Sequence, residues 1–119
     1  MDKRIALVFR QSPFDGNQVQ ETIDIGLAYA AYDQAVTLIF TDDAVSACCD
    51  STKPEKAGYA NFLKQFGAFD MYDIEEVWVN KQAMKKRGLA GSRLRESVQF
   101  VDENQIASSL SSFDIVLSI

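Results

Sequence analysis

Glu75-Glu76-Val77-Trp78-Val79-Asn80-Lys81-Gln82-Ala83-Met84-Lys85-Lys86-Arg87-Gly88 is the stretch that decides the fold. Its first part begins near Glu75 and centres on Val77-Trp78-Val79. It has the β-branched and aromatic character of a buried strand. Asn80 then offers a side-chain oxygen to the unpaired N–H groups of a helix start. Residues 81–87 favour helix, and Gly88 supplies the stop. A strand that runs straight into a helix is half of a βαβ crossover.

Outward from this stretch the same alternation recurs. Short apolar runs at 5–9, 36–40, 98–101 and 113–118 read as four further strands. Val19, Ile23, Leu27 and Ala30 have helical spacing over 18–32. Asp42 or Asp43 would cap a short helix through Cys49. Pro54 opens a helix that ends near Gly67. Asp102 caps a helix to about Leu110. The order βαβαβαβαβ predicts one α/β domain over residues 1–119: a three-layer sandwich around a mainly parallel five-stranded sheet, flavodoxin-like in class. Ligands in such sheets bind beyond the carboxyl ends of the strands. The loops after Phe9, Phe40, Val79 and Val101 are therefore the places to look for function.

Composition removes several kinds of chemistry. The 119 residues include no histidine, so Ser-His and Cys-His pairs and histidine metal sites are excluded within the chain. No cofactor is expected. No apolar run is long enough to span a membrane, and the run 5–9 is too short for a signal segment, so the expected location is the cytoplasm. Adjacent Cys48 and Cys49 cannot staple distant parts of the chain, which fits a reducing compartment.

The loops themselves offer little reactive chemistry. The first loop, Arg10-Gln11-Ser12-Pro13-Phe14-Asp15-Gly16-Asn17, has one glycine where a phosphate cradle needs several. Asp42 and Asp43 follow the second strand rather than the first, which does not fit a phosphoacceptor site. Cys48 and Cys49 fall near a helix C-terminus beside Asp50, where dipole and charge both oppose a thiolate. They read either as small buried hydrophobes or as redox and sulfur-handling thiols. At the third loop, the start of the 81–87 helix would favour a thiolate, but Asn80 places an amide there.

Two surface features stay open between a bland and a functional reading. Lys81, Lys85, Lys86, Arg87, Arg93 and Arg95 put six of the twelve cations within fifteen residues. The remaining six face all seventeen acids, a net charge of −11. The cluster reads as a solvated helix face or as a docking patch for an acidic partner or RNA. A net charge of −5 argues against direct tRNA contact without a basic partner. Tyr59, Phe62, Phe66 and Phe69, followed by Tyr72 and Trp78, read as a core stripe or as an aromatic protein interface.

Several stretches together resemble a known family. Phe69-Asp70-Met71-Tyr72-Asp73-Ile74-Glu75-Glu76-Val77-Trp78-Val79 with Lys86-Arg87-Gly88-Leu89 is similar to the DsrE/DsrF-like sulfurtransferases, and within them to the TusC/DsrF type. The opening Arg4-Ile5-Ala6-Leu7-Val8-Phe9 with Ser12-Pro13 and Gly16 agrees, as do 35–42 and 113–117. The resemblance implies a heterohexamer with TusB/DsrH-like and TusD/DsrE-like sister subunits, which passes persulfide sulfur between carrier proteins. In the Tus branch the sulfur reaches the tRNA wobble position as 2-thiouridine. In the Dsr branch it belongs to intracellular sulfur oxidation. In the D/E-type subunit a persulfide-forming cysteine starts the helix after the central strand. The matching position, eight residues before Gly88, is Asn80. The expectation is a non-catalytic subunit. The competing expectations are a sulfurtransferase using Cys48 or Cys49, and a homo-oligomer that binds small ligands at the strand ends.

Overall fold

A computed structural model of the chain describes residues 4–10, 35–48, 76–89, 91, 94 and 98–118. The helices expected over 18–32 and 54–67 lie outside these residues. So do Cys49, Tyr59, Phe62, Phe66, Phe69, Tyr72, Arg93 and Arg95.

Five strands form one sheet: β1 (Arg4–Phe9), β2 (Ala35–Phe40), β3 (Glu76–Asn80), β4 (Val98–Val101) and β5 (Ile115–Ser118). All four strand pairings are parallel. A 3₁₀ helix, Asp42–Cys48, follows β2. Helix α1 (Lys81–Lys86) follows β3, and helix α2 (Glu103–Ser109) follows β4, ending in a 3₁₀ turn at Leu110–Ser112. The expected α/β sandwich is present, with an order of its own: β4-β3-β2-β1-β5. A flavodoxin sheet runs 2-1-3-4-5. Here the chain steps one way through four strands, and only the link from β4 to β5 crosses back.

That reversal sorts the connections between the two faces. Right-handed crossovers place links that step in the same direction on the same face, and a link that steps back on the other. The 3₁₀ helix and α1 accordingly share a core with Ile5, Leu7, Phe9, Val36, Leu38, Phe40, Val77 and Val79. Ile106 of α2 packs on the opposite face with Ala6, Val8, Ile39, Trp78, Val101 and Phe113. Odd and even positions of each strand divide between the two cores because successive side chains point to opposite sides. Phe9 and Phe40 stack at 4.8 Å under the carboxyl edge and are both fully buried. Each buried phenylalanine contributes about 2–3 kcal/mol to this core.

Burial on both faces, expected for every strand, holds for β1, β2 and β3. It fails at β4 and β5, the outer strands, where Gln99, Phe100, Val116 and Leu117 are exposed. The last strand also starts later than its apolar run suggests. Phe113 lies before it, buried, and the Asp114 N–H donates to the Arg4 carbonyl at 2.8 Å. Arg4 fastens this corner. Its N–H donates to the Asp114 carboxylate, its guanidinium donates to Ser112, and the same guanidinium lies 4.6 Å above the Phe113 ring.

Candidate functional site

The carboxyl edge of the sheet gathers Arg10, Thr41, Asp42, Asp43, Asn80, Lys81, Gln82 and Asp102. Asn80 is its centre. The residue ends β3 with extended backbone angles and caps α1, its Oδ1 accepting from the Ala83 N–H at 3.0 Å. Its Nδ2 donates to Thr41 Oγ1 at 3.0 Å. This second contact follows from register. Phe40 pairs with Val79, so the next residues, Thr41 and Asn80, sit side by side as both strands end. With its amide satisfied on both sides, Asn80 is only 3% exposed.

The helix that Asn80 opens ends as its sequence predicts. Gly88 has φ of 71°, which a glycine adopts without steric cost. Its N–H donates to the Lys85 carbonyl, and the Leu89 N–H donates to the Met84 carbonyl at 2.8 Å. This is a Schellman stop, with Leu89 packing against the core that holds Met84. Thus α1 is pinned at both ends, and its first residue stands at a defined point above the sheet.

Two polar bridges flank Asn80. On one side Arg87 reaches back to Asp43, its Nε and Nη2 both donating to Oδ1 at 3.1 and 3.0 Å, while Nη1 donates to the Ala83 carbonyl. Asp43 therefore acts as an ion-pair acceptor, beyond the capping role the sequence suggested. Asp42 takes φ of 50°, a left-handed conformation that aspartate tolerates better than most residues. On the other side Gln82 links α1 to α2. Its Nε2 donates to Asp102 at 2.7 Å and its Oε1 accepts from the Glu103 N–H. Asp102 also caps α2 by accepting from the Asn104 N–H. These bonds from Gln82 and Asn104, with Lys81 nearby, hold the Asp102 carboxyl below its ordinary 3.8, against a smaller upward pull from desolvation.

The geometry revises several expectations. Trp78, open between a core stripe and an aromatic interface, is a core residue of the α2 face. It is buried, stands edge-on to Phe113 at 6.2 Å, and donates from Nε1 to Glu76. Its neighbours Val77 and Val79 fill one face, so Trp78 must fill the other. Within the basic cluster, Lys81, Lys85 and Lys86 are exposed, while Arg87 spends its charge on Asp43. Cys48 ends the 3₁₀ helix fully buried in the core with Ala44 and Val45. Among the described residues no group of acids, cysteines or histidines is placed to hold a metal ion, and no helix is long and apolar enough to cross a membrane. Thr41 and Gln82 escaped the sequence reading. Thr41 becomes conspicuous only once β2 is known to lie beside β3, and Gln82 only once α2 is known to start beside α1.

Chemically, the centre of the edge is a neutral amide bonded to a hydroxyl and a backbone N–H. It offers no nucleophile and no titrating group. This geometry can be set beside known proteins. A protein of Pseudomonas aeruginosa described as Protein TusC homolog is 27% identical over 119 residues, covering 100% of both chains. A second Protein TusC homolog, from Aliivibrio fischeri, is 28% identical over 114 residues, covering 96% of this chain and 97% of its own. The crystal structure of the ychN protein from E. coli matches the fold with a TM-score of 0.82 over 100% of both chains, at 18% identity. The profile of the DsrE/DsrF-like family matches residues 3–119, and the chain belongs to that family.

Proposed function

We propose that this chain is a subunit of a sulfur-relay complex of the TusBCD/DsrEFH type, and that it supports persulfide transfer without carrying sulfur itself. The observation that carries the reading is Asn80. At the helix start where the active subunits of the family place a persulfide cysteine, this chain puts an amide that is buried and bonded on both sides. An amide cannot be a sulfur nucleophile. The full-length likeness to TusC homologs supports the same role. Within the proposal the chain assembles in the cytoplasm with TusB- and TusD-like sisters, contacts sulfur carriers through that assembly, and serves 2-thiouridine formation at the tRNA wobble position. Of the rival reading, a sulfurtransferase working through Cys48 or Cys49, the Cys48 route is opposed by the complete burial of that residue, while Cys49 lies outside the described residues.

Reconstitution tests this. The sister subunits should relay sulfur from a persulfidated donor only when this chain is present. The chain alone, incubated with the same donor, should show no sulfane sulfur on Cys48 or Cys49 by mass spectrometry. Sulfur on either cysteine, or relay at the full rate without the chain, would overturn the proposal. Deleting the gene should abolish wobble 2-thiouridine. Intact 2-thiouridine would remove the tRNA branch and leave the sulfur-oxidation branch.

A further inference from the structure

We propose that the outer edge of β4 and the Lys81–Lys85 row of α1 form a docking shelf for an acidic, extended segment of a partner protein. The inference rests on charge and exposure and goes beyond the relay role. Strand β4 is the outermost strand on its side of the sheet, so its outward N–H and C=O groups have no strand to pair with among the described residues. Phe100, in the middle of β4, is 46% exposed. Val98 packs into the core beneath α1 and Val101 into the opposite core, so alternation places Phe100 on the same face as α1. Phe100 pairs in register with Val79, two residues before Lys81. An apolar ring therefore lies next to the start of a cationic helix.

The lysines are available for a partner. Lys81, Lys85 and Lys86 are exposed, and none makes a hydrogen bond or ion pair among the described residues. Lys81 and Lys85 are one helical turn apart and share a side of α1. Lys81 lies on the side of Asp102, which is where β4 ends. Lys81 helps to hold down the Asp102 carboxyl, which also accepts from Gln82 and Asn104, so Asp102 is a partial counter-charge shared with those two donors. Among the described residues no acid forms an ion pair with this row, and a partner's carboxylates would supply the charge it lacks. A segment adding beside β4 would gain backbone hydrogen bonds, cover Phe100 with an apolar side chain, and set its carboxylates against Lys81 and Lys85.

The test uses the full chain and a labelled synthetic peptide of alternating glutamate and valine, with a glutamine–valine peptide and single-stranded RNA as comparators. We expect the acidic peptide to bind, amide NMR shifts to concentrate at 98–101 and 81–86, and affinity to fall as salt rises. The double change Lys81→Glu, Lys85→Glu should weaken binding about tenfold or more. Phe100→Ser, a substitution at an exposed site, should weaken it with the circular dichroism unchanged. Equal binding of the glutamine–valine peptide, shifts confined to other strands, binding of RNA alone, or indifference to the lysine reversals would each overturn the shelf. Assembly with the sister subunits is measured in parallel: a chain that binds the peptide but joins no complex would refute the relay reading and leave the shelf standing.

Discussion

Asn80 does two jobs with one small side chain, and each can be removed separately. Asn80→Ala deletes the cap and leaves the Ala83 N–H without its acceptor, so urea denaturation should show a loss of about 2 kcal/mol. Asn80→Asp keeps an acceptor for Ala83 and loses only the donor to Thr41, so it should cost less than Asn80→Ala. An equal cost for the two would mean that the Thr41 contact, not the cap, dominates. Thr37 is the opposite case. Its Oγ1 is buried in β2 with no hydrogen-bond partner among the described residues, whereas the Asn80 amide is bonded through both its nitrogen and its oxygen. Thr37→Val replaces that hydroxyl with a methyl of similar shape. It should stabilise the fold by about 1 kcal/mol, seen as a higher denaturation midpoint at unchanged slope. A loss of stability would indicate that the hydroxyl has a partner in solution.

At the scale of elements, α1 and α2 approach from opposite faces and meet at Gln82 and Asp102. The Asp102 carboxyl is held below its ordinary value mainly by the Gln82 amide and the Asn104 N–H. A depressed folded-state pKa gives stability that is present above the unfolded carboxylate pKa and is lost as pH falls through the folded one. Asp102→Asn preserves a capping oxygen and removes the charge. Wild type should therefore be the more stable of the two at pH 7, and the difference should close as pH drops below the ordinary 3.8 towards the lowered value. A gap that persists at low pH would assign the effect to shape, not charge. The other corner is apolar. Phe113 joins the last strand to the core through Trp78, with the Arg4 guanidinium over its ring. Phe113→Ala should cost about 3 kcal/mol, and Arg4→Ala about 1 kcal/mol. If the two changes cost the same, the corner would be held by the guanidinium and not by the buried ring.

For the whole molecule, what could be read in advance follows from the range of each interaction. Asn80, Gly88 and Asp102 were legible because capping and stop chemistry acts within a few residues of the chain. The strand count was legible because each strand carries its own apolar run. Strand order was not, since 4-3-2-1-5 and 2-1-3-4-5 sheets draw on the same local patterns and differ only in which distant runs pair. The core place of Trp78 and the roles of Thr41 and Gln82 were hidden by that gap: each depends on a neighbour brought in by the sheet. The same long-range pairing determines how the molecule should unfold. Trp78 is the single tryptophan, and it reports on the α2 face, buried against Phe113. Far-ultraviolet circular dichroism reports on helices and strands throughout. β1 lies at the join between β2 and β5 and contributes side chains to both cores, so neither face can lose its packing while the other keeps it. Tryptophan emission and circular dichroism should therefore trace one coincident urea transition, as for a single cooperative unit. Phe113→Ala should move both curves together. A tryptophan transition that precedes the circular dichroism change would show the α2 face opening on its own, and would break the expectation that residues 1–119 fold as one domain.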